Sequence, residues 1–273
     1  MLKTLKSKIN QATRLLLVNS LTTKNDSILI VEYPKSGGTW LGQLISNYLE
    51  IPFPRNKMPS LKRSVFHSHY LPQNNITKNK KIVYLVRDGR DVLISLYYHQ
   101  LVWSNKNKLN PKDVIYHRKQ LKFNDYDDVE SNISTFMQYS YKETPSKLQQ
   151  FTYMGNWYTY NKAWLEEFNR DQNNIYLVKY EDLLEDTKGT MAKMLENFFN
   201  VKTDHDRLEQ VVDKFSFENQ TKRKKGVENK NSFLRKGIVG DWKNYFGTKE
   251  NEEFKSFTKD LLIKLNYEKD SNW

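Results

Sequence analysis

SILIVEY, residues 27–33, runs directly into PKSGGTW, residues 34–40, and the fold is read from this join. The first seven residues are β-rich and mostly apolar with no polar alternation, the pattern of a strand buried on both faces of a parallel sheet. Pro34 to Gly38 stops the strand with turn residues. Beyond it Trp40, Leu41, Leu44, Ile45 and Tyr48 fall on one face of a 3.6-residue period, which predicts a helix with Thr39 as its N-cap. A strand that turns into a helix this way aims backbone N–H groups and the positive end of the helix dipole at one anion-sized space. Lys35 adds a point charge, Ser36 and Thr39 add hydroxyl donors, and Gly37 and Gly38 let an anion approach the backbone. The loop is not a Walker A motif, because its Lys precedes the glycines and no Gly-Lys-Ser/Thr follows. Strand-to-helix turns of this composition also occur without a ligand, so both readings stand at this point.

Working outward, KIVYLV at 81–86 is a second apolar strand, followed by Arg87-Asp88-Gly89-Arg90 and a helical run through Tyr98. IYLVKY at 175–180 is a third, after which Glu181-Asp182 leads to a helix around Met191 to Phe199. Strands alternating with helices predict an α/β fold with a central parallel sheet flanked by helices, whose ligands sit beyond the carboxyl ends of the strands. No internal repeat or low-complexity linker cuts the chain, so a single domain over 1–273 is expected. Between about 100 and 165 the pattern predicts helices and loops. Tyr97, Tyr98, Trp103, Tyr139, Phe151 and Trp157 there either line an acceptor pocket or belong to the core.

Lys and Arg total 44 against 32 Asp and Glu, a formal charge of +12, so an anionic partner is expected: nucleic acid, acidic membrane or a phosphorylated ligand. The absence of cysteine excludes a disulfide framework, a thiolate nucleophile and every Cys-based metal site. In residues 1–22, Leu2, Leu5, Ile9 and Leu16 recur among Lys3, Lys6, Lys8 and Arg14, a basic amphipathic pattern that suits either a helix packed on the domain or anionic lipid. No apolar run there approaches the roughly 18 residues of a membrane span, and a cytoplasmic protein is expected. Residues 218–236 are too polar and basic for core. They read as a surface loop that is either simply solvated or closes over a multiply charged anion.

Three segments in order carry a family resemblance. PKSGGTW resembles the 5′-phosphosulfate loop of the sulfotransferases that use 3′-phosphoadenosine 5′-phosphosulfate (PAPS). YLVRDGRDVLISLYYH, 84–99, resembles their 3′-phosphate segment, with Arg87 and Ser95 at its two phosphate-binding positions. RKGIVGDWK, 235–243, resembles their closing motif, whose Arg235-Lys236-Gly237 portion also grips the 3′-phosphate. Smaller likenesses are Gly155-Asn156-Trp157-Tyr158 and Tyr180-Glu181-Asp182. The resemblance implies a cytosolic-type sulfotransferase that moves a sulfuryl group from PAPS to a hydroxyl or amine of a small-molecule acceptor, without a metal. By family position Lys35, Ser36, Gly37, Gly38 and Thr39 hold the 5′ end of the donor. Trp40, Tyr180 and Phe217 lie by the adenine, and His69 is the base that takes the acceptor's proton. Sulfuryl transfer is an in-line displacement like phosphoryl transfer, so positioning and electrostatics dominate.

The chain departs from the family in four places. Gly38 stands where the first of two Thr residues is usual, which removes a hydroxyl from the cradle and leaves a backbone N–H. His67 stands where many relatives have a Lys that helps hold the transferring group. Phe215 replaces a Thr beside the adenine region. The dimer signature is only partly echoed by Lys243, Gly247, Thr248 and Glu252, which leaves a homodimer open. His67-Ser68-His69 is also a His-x-His pair with metal-ligand spacing, but no third ligand stands near it in sequence and none is expected to bind a metal. From a different class, a nucleic-acid-binding protein would explain the basic surface and the aromatics, although no recognised binding motif is present.

Overall fold

The computed structural model describes residues 27–54, 62–73, 81–102, 111–142 and 154–273. The basic segment 1–22, Trp103 and Phe151 lie outside the described residues. Strand β1 (Ile28–Glu32) is buried along its whole length, as its continuous apolar run requires. Helix α1 (Gly38–Leu49) follows it through the loop. Strand β2 (Val65–Ser68) is a four-residue strand that no apolar run announces. Strand β3 (Lys81–Val86) and strand β4 (Ile175–Lys179) fall where the sequence places them, except that Tyr180 already belongs to a helix. All four strands are parallel in the order β2-β1-β3-β4, with β1 at the centre beside β3. Ile30 lies opposite His67 on one side and Val83 on the other.

The described residues gather into two compact units. The first holds the described residues through Val86, Met154 and 163–215. It contains the sheet, α1, α6 (Tyr180–Glu185), α7 (Thr187–Asn197) and α8 (His205–Lys214). Its core is formed by Ile28, Ile30, Val83, Leu85 and Val178 from the strands, with Leu41, Leu44 and Ile45 of α1 and Met191, Met194 and Leu195 of α7. Burying a side chain of this size contributes about 1.5–3 kcal/mol, which is what fixes α1 and α7 against the sheet. The Tyr48 hydroxyl at the far end of α1 accepts from the Asp204 amide at 2.8 Å, which ties the start of α8 to α1.

The second unit holds the described residues of 87–148, 155–162 and 216–273 and is helical. It contains α2 (Gly89–Tyr97), continued by a π-helical turn at Tyr98–Val102, then α3 (Pro111–Gln120) and α4 (Val129–Lys142). Later come α9 (Phe217–Thr221), a 3₁₀ turn (Asp241–Asn244), α10 (Thr248–Thr258) and α11 (Leu261–Lys264). Between α4 and β4 runs α5 (Trp157–Arg170), of which only residues up to Lys162 belong to this unit. Its core is aromatic: Tyr97 meets Phe136 edge-on at 5.2 Å, and Phe254 sits among Trp157, Phe246 and Tyr141. The segment 218–236 is therefore a loop only after Thr221. Among the described residues no helix is long and apolar enough to cross a membrane.

Candidate active site

In the first unit the loop between β1 and α1 holds two left-handed residues, Lys35 at φ 75° and Gly37 at φ 107°. Gly37, not Thr39, caps α1, because only a residue without a Cβ fits there: a Cβ would stand 2.7 Å from the Tyr180 ring. Thr39 is displaced into the first turn. Ser36 is buried and its amide donates to the Tyr33 carbonyl at 3.2 Å. Trp40 and Tyr180 meet edge-on at 6.0 Å, and the Trp40 indole donates to the Phe215 carbonyl at 2.9 Å. Gly37, Trp40, Tyr180 and Phe215 are thus one neighbourhood, although 180 and 215 are far from the loop in sequence.

The carboxyl ends of β1 and β2 carry the second group. Glu32, buried at 3% exposure, ends β1 with one carboxylate oxygen 2.7 Å from His67 Nε2. Its other oxygen accepts from the Gly38 amide. The N–H that Gly38 would leave for an anion is thereby engaged by the protein's own carboxylate. A Cβ at Gly38 would stand 2.6 Å from the Glu32 carboxyl carbon and 2.9 Å from His67 Cδ2. The missing threonine side chain and the His67 departure are therefore two sides of one packing arrangement. Nothing in the sequence pattern singles out Glu32. The one available signal is a charged residue closing an otherwise apolar strand.

His69 Nδ1 lies 2.9 Å from the Glu32 carbonyl oxygen. A carbonyl only accepts, so Nδ1 carries the proton and Nε2 keeps its lone pair. Burial lowers the His69 pKa to about 4, and neighbouring His67 adds to this against the opposing pull of Glu32. Burial pushes the Glu32 carboxyl up, but His67, His69 and the Gly38 amide outweigh it and leave the group below its ordinary range. The arrangement presents a neutral imidazole whose Nε2 has no hydrogen-bond partner among the described residues, close to a carboxylate that would favour the imidazolium once formed.

In the second unit Arg87 follows β3 directly, and its guanidinium lies 3.7 Å from Asp91. The Asp91 carboxylate accepts from the amides of Gly240 at 2.7 Å and Trp242 at 3.0 Å, which holds the closing motif to α2. Burial raises the Asp91 pKa despite the neighbouring Arg87. Arg235 pairs with Glu228 and Asp241 and lies over the Tyr98 ring at 4.3 Å, while Lys236 Nζ is 2.7 Å from Asp241. Gly237 is left-handed at φ 66°, and a Cβ there would stand 2.4 Å from the Phe217 ring. Arg87, Arg235, Lys236, Gly237 and Phe217 are all in this unit, as is Ser95, half-buried on α2. Several aromatics named as pocket candidates are core instead. Tyr97 and Trp157 are buried, with Tyr97 donating to the Tyr126 carbonyl and Trp157 to the Arg87 carbonyl. Tyr98 is buried against Tyr245, whereas Tyr139 is half-buried and bonds His117.

The basic segment is ordered by Arg223. Its guanidinium donates to the carbonyls of Val227 at 2.7 Å, Arg235 at 2.8 Å and Leu234. Gly226 and Asn229 amides bond the carbonyls of Lys236 and Arg235, so the loop returns on itself and delivers Arg235 and Lys236 together.

Comparison with known proteins adds to this geometry. A family model described as "Sulfotransferase domain" matches residues 50–266, a span that opens after the 34–40 loop. Sulfotransferase 2A1 of Rattus norvegicus is 26% identical over 280 residues, covering 90% of this chain and 88% of that protein. Sulfotransferase 1E1 of the same organism is 26% identical, covering 87% and 83%. Among solved structures, a mouse sulfotransferase complexed with PAP (SULT7A1) superposes with a TM-score of 0.64 at 20% identity, covering 92% of this chain and 93% of that one. Retinol dehydratase in complex with retinol and PAP gives 0.54 at 17% identity, covering 91% and 82%.

Proposed function

Because the chain belongs to the sulfotransferase family and is a PAPS-dependent enzyme of that kind, we propose that it transfers the sulfuryl group to a hydroxyl or amine of a small molecule with His69 as the base. One observation carries this reading: Glu32 fixes His69 in the tautomer whose Nε2 accepts a proton. With the pKa at about 4, the imidazole is neutral and ready at every pH above that value. The proton goes from the acceptor to Nε2, and the adjacent Glu32 carboxylate offsets the positive charge formed.

The donor fits the residues present. A glycine-capped helix start with Lys35 and Ser36 suits its 5′ end, and the charge of Lys35 counts most as negative charge accumulates on the leaving oxygen. The amides of Gly37 and Thr39 have no hydrogen-bond partner among the described residues and complete that cradle. Arg87, Ser95, Arg235, Lys236 and Gly237 would hold the 3′-phosphate, where charge-assisted hydrogen bonds are strongest. Trp40, Tyr180 and Phe217 offer aromatic faces to the adenine. The donor supplies the sulfuryl group; these side chains supply orientation and charge. A cytoplasmic site of action follows the same family reading.

Transfer of radiolabelled sulfate from PAPS across a panel of phenols, aliphatic alcohols and amines tests the assignment. Labelled product dependent on His69 is expected. Absence of transfer to every class, together with length-dependent and steeply salt-sensitive binding of oligonucleotides, would favour the nucleic-acid reading instead.

A further inference from the structure

His67-Ser68-His69 lacks a third donor nearby in sequence, but the pairing of β1 with β2 brings one. Glu32 and the two histidines are the one group of metal-ligating side chains that converges among the described residues. One ligand atom from each lies within 4.8 Å of the others. We propose that Glu32, His67 and His69 bind a zinc-class divalent cation, and that an ion held there inhibits sulfuryl transfer by engaging the imidazole of His69. The inhibitory half rests on His69 being the base. The binding half does not.

Glu32 and His67 lie on paired strands, and His69 directly follows β2. Ile30 and His67 are paired across the two parallel strands, so Glu32, two residues on, reaches the level of His69, and all three side chains leave the same face of the sheet. The imidazole rings stand edge to face with centroids 4.6 Å apart. The Glu32 oxygen and His67 Nε2 are 2.7 Å apart, so the two groups have to separate by only about 0.6 Å to take two tetrahedral positions at about 2.0–2.1 Å from one cation. Entry of the ion replaces the shared proton of that pair, which returns to solvent or moves to His67 Nδ1.

The surrounding hydrogen bonds are of the kind that orient ligands. The Gly38 amide holds the second Glu32 oxygen, and the Glu32 carbonyl accepts from His69 Nδ1, which fixes the ring and leaves Nε2 as the donor. Gly38 also keeps open the volume that a larger residue would take from both Glu32 and His67. Two imidazoles and one carboxylate match an open zinc site with a fourth position for water. Magnesium and calcium prefer all-oxygen shells and are poorly served by this set.

The experiment is calorimetric titration of the full chain with zinc chloride, alongside cobalt(II) titration followed by visible absorption. One site per chain is expected, with the strong ligand-field bands of four- or five-coordinate cobalt. Glu32→Gln, His67→Ala and His69→Ala should each weaken binding at least about tenfold, as loss of even an orienting contact does. Circular dichroism and binding of adenosine 3′,5′-bisphosphate confirm that each variant is folded. A weak octahedral cobalt spectrum in the unaltered protein overturns the site without reference to any variant, and so does zinc binding that is equal in all three folded variants. In assays of PAPS-dependent transfer, inhibition should have its midpoint at the calorimetric affinity. Full turnover with the site saturated overturns the inhibitory half. Zinc binding without any bisphosphate binding would instead count against the enzymatic reading and leave the metal site standing.

Discussion

Lys35 holds a left-handed backbone conformation at φ 75°, which costs a residue with a side chain about 1–2 kcal/mol. That cost is consistent with a charge needed at one particular point of the loop. Lys35→Ala is therefore expected to lower single-turnover transfer at saturating PAPS by about two orders of magnitude or more while changing bisphosphate affinity much less. An unchanged rate would remove Lys35 from the mechanism. His69→Ala should abolish most transfer and His67→Ala should slow it less, because His69 stands at the family's base position with Nε2 left to accept the proton, whereas His67 is held to the Glu32 carboxylate in a supporting place; the opposite ranking would make His67 the base. Gly38→Thr restores the residue usual in the family, yet here it drives a Cβ into Glu32 and His67. Overpacking of this kind costs about 1–3 kcal/mol. Thermal unfolding should show that loss in Gly38→Thr, and a smaller one when Glu32→Ser is added. Equal losses with and without Glu32→Ser would show that the two positions do not interact.

Strands β1, β3 and β4 and helix α1 are legible in the sequence because each presents an apolar run or a clean helical face. Strand β2 is not, since four residues that include His67 and Ser68 leave too little pattern against which to read a period of two. The cap of α1 is misplaced for a related reason. Thr39 has the better capping chemistry, but close packing of Gly37 on Tyr180, 143 positions later, decides where the helix begins. Glu32 is invisible as a site residue because its partner His67 lies 35 residues away and meets it only through strand pairing. The basic segment is legible as surface but not as an ordered element, since its order comes from three carbonyls around one guanidinium. Arg223→Ala leaves those carbonyls without their donor. It is expected to raise the rate of proteolytic cleavage within 222–236 and to weaken bisphosphate binding about tenfold or more, with unchanged circular dichroism. Wild-type affinity and protease resistance together would show that Arg223 does not organise the loop.

At the scale of the whole molecule, the formal charge of +12 is a general attraction for anions, whereas the 3′-phosphate residues make a specific demand. Adenosine 3′,5′-bisphosphate should bind at least two orders of magnitude more tightly than adenosine 5′-monophosphate, since each charge-assisted bond contributes roughly 1.5–3 kcal/mol. In Arg87→Ala the gap should shrink sharply, and calorimetry on both ligands and both proteins measures it. Acid should destabilise the fold in a particular window. His69 titrates at about 4 when folded and near 6.5 when unfolded, so the unfolded chain takes up the proton first as pH falls. The resulting loss begins below about 6.5 and amounts to about 2–3 kcal/mol by pH 4, allowing for partial solvent contact. Glu32, held below its ordinary range, adds to it at still lower pH. Denaturant unfolding at pH 7 and 4.5 should show the decline, and His69→Gln should flatten it; an equal decline in His69→Gln would assign the effect elsewhere. The contact of Gly38 with Glu32 and His67 bears also on how these positions can vary. The resemblance counts Gly38 and His67 as two separate departures from the sulfotransferase pattern, but both positions crowd the same Glu32 carboxylate, so their substitutions are coupled. A threonine at 38 has to displace the carboxylate and imidazole that occupy its space, whereas a lysine at 67 would meet the Glu32 carboxylate as an opposite charge. Substitution at 38 is therefore expected to depend on which side chains stand at 32 and 67, so the three positions vary as a unit rather than one by one.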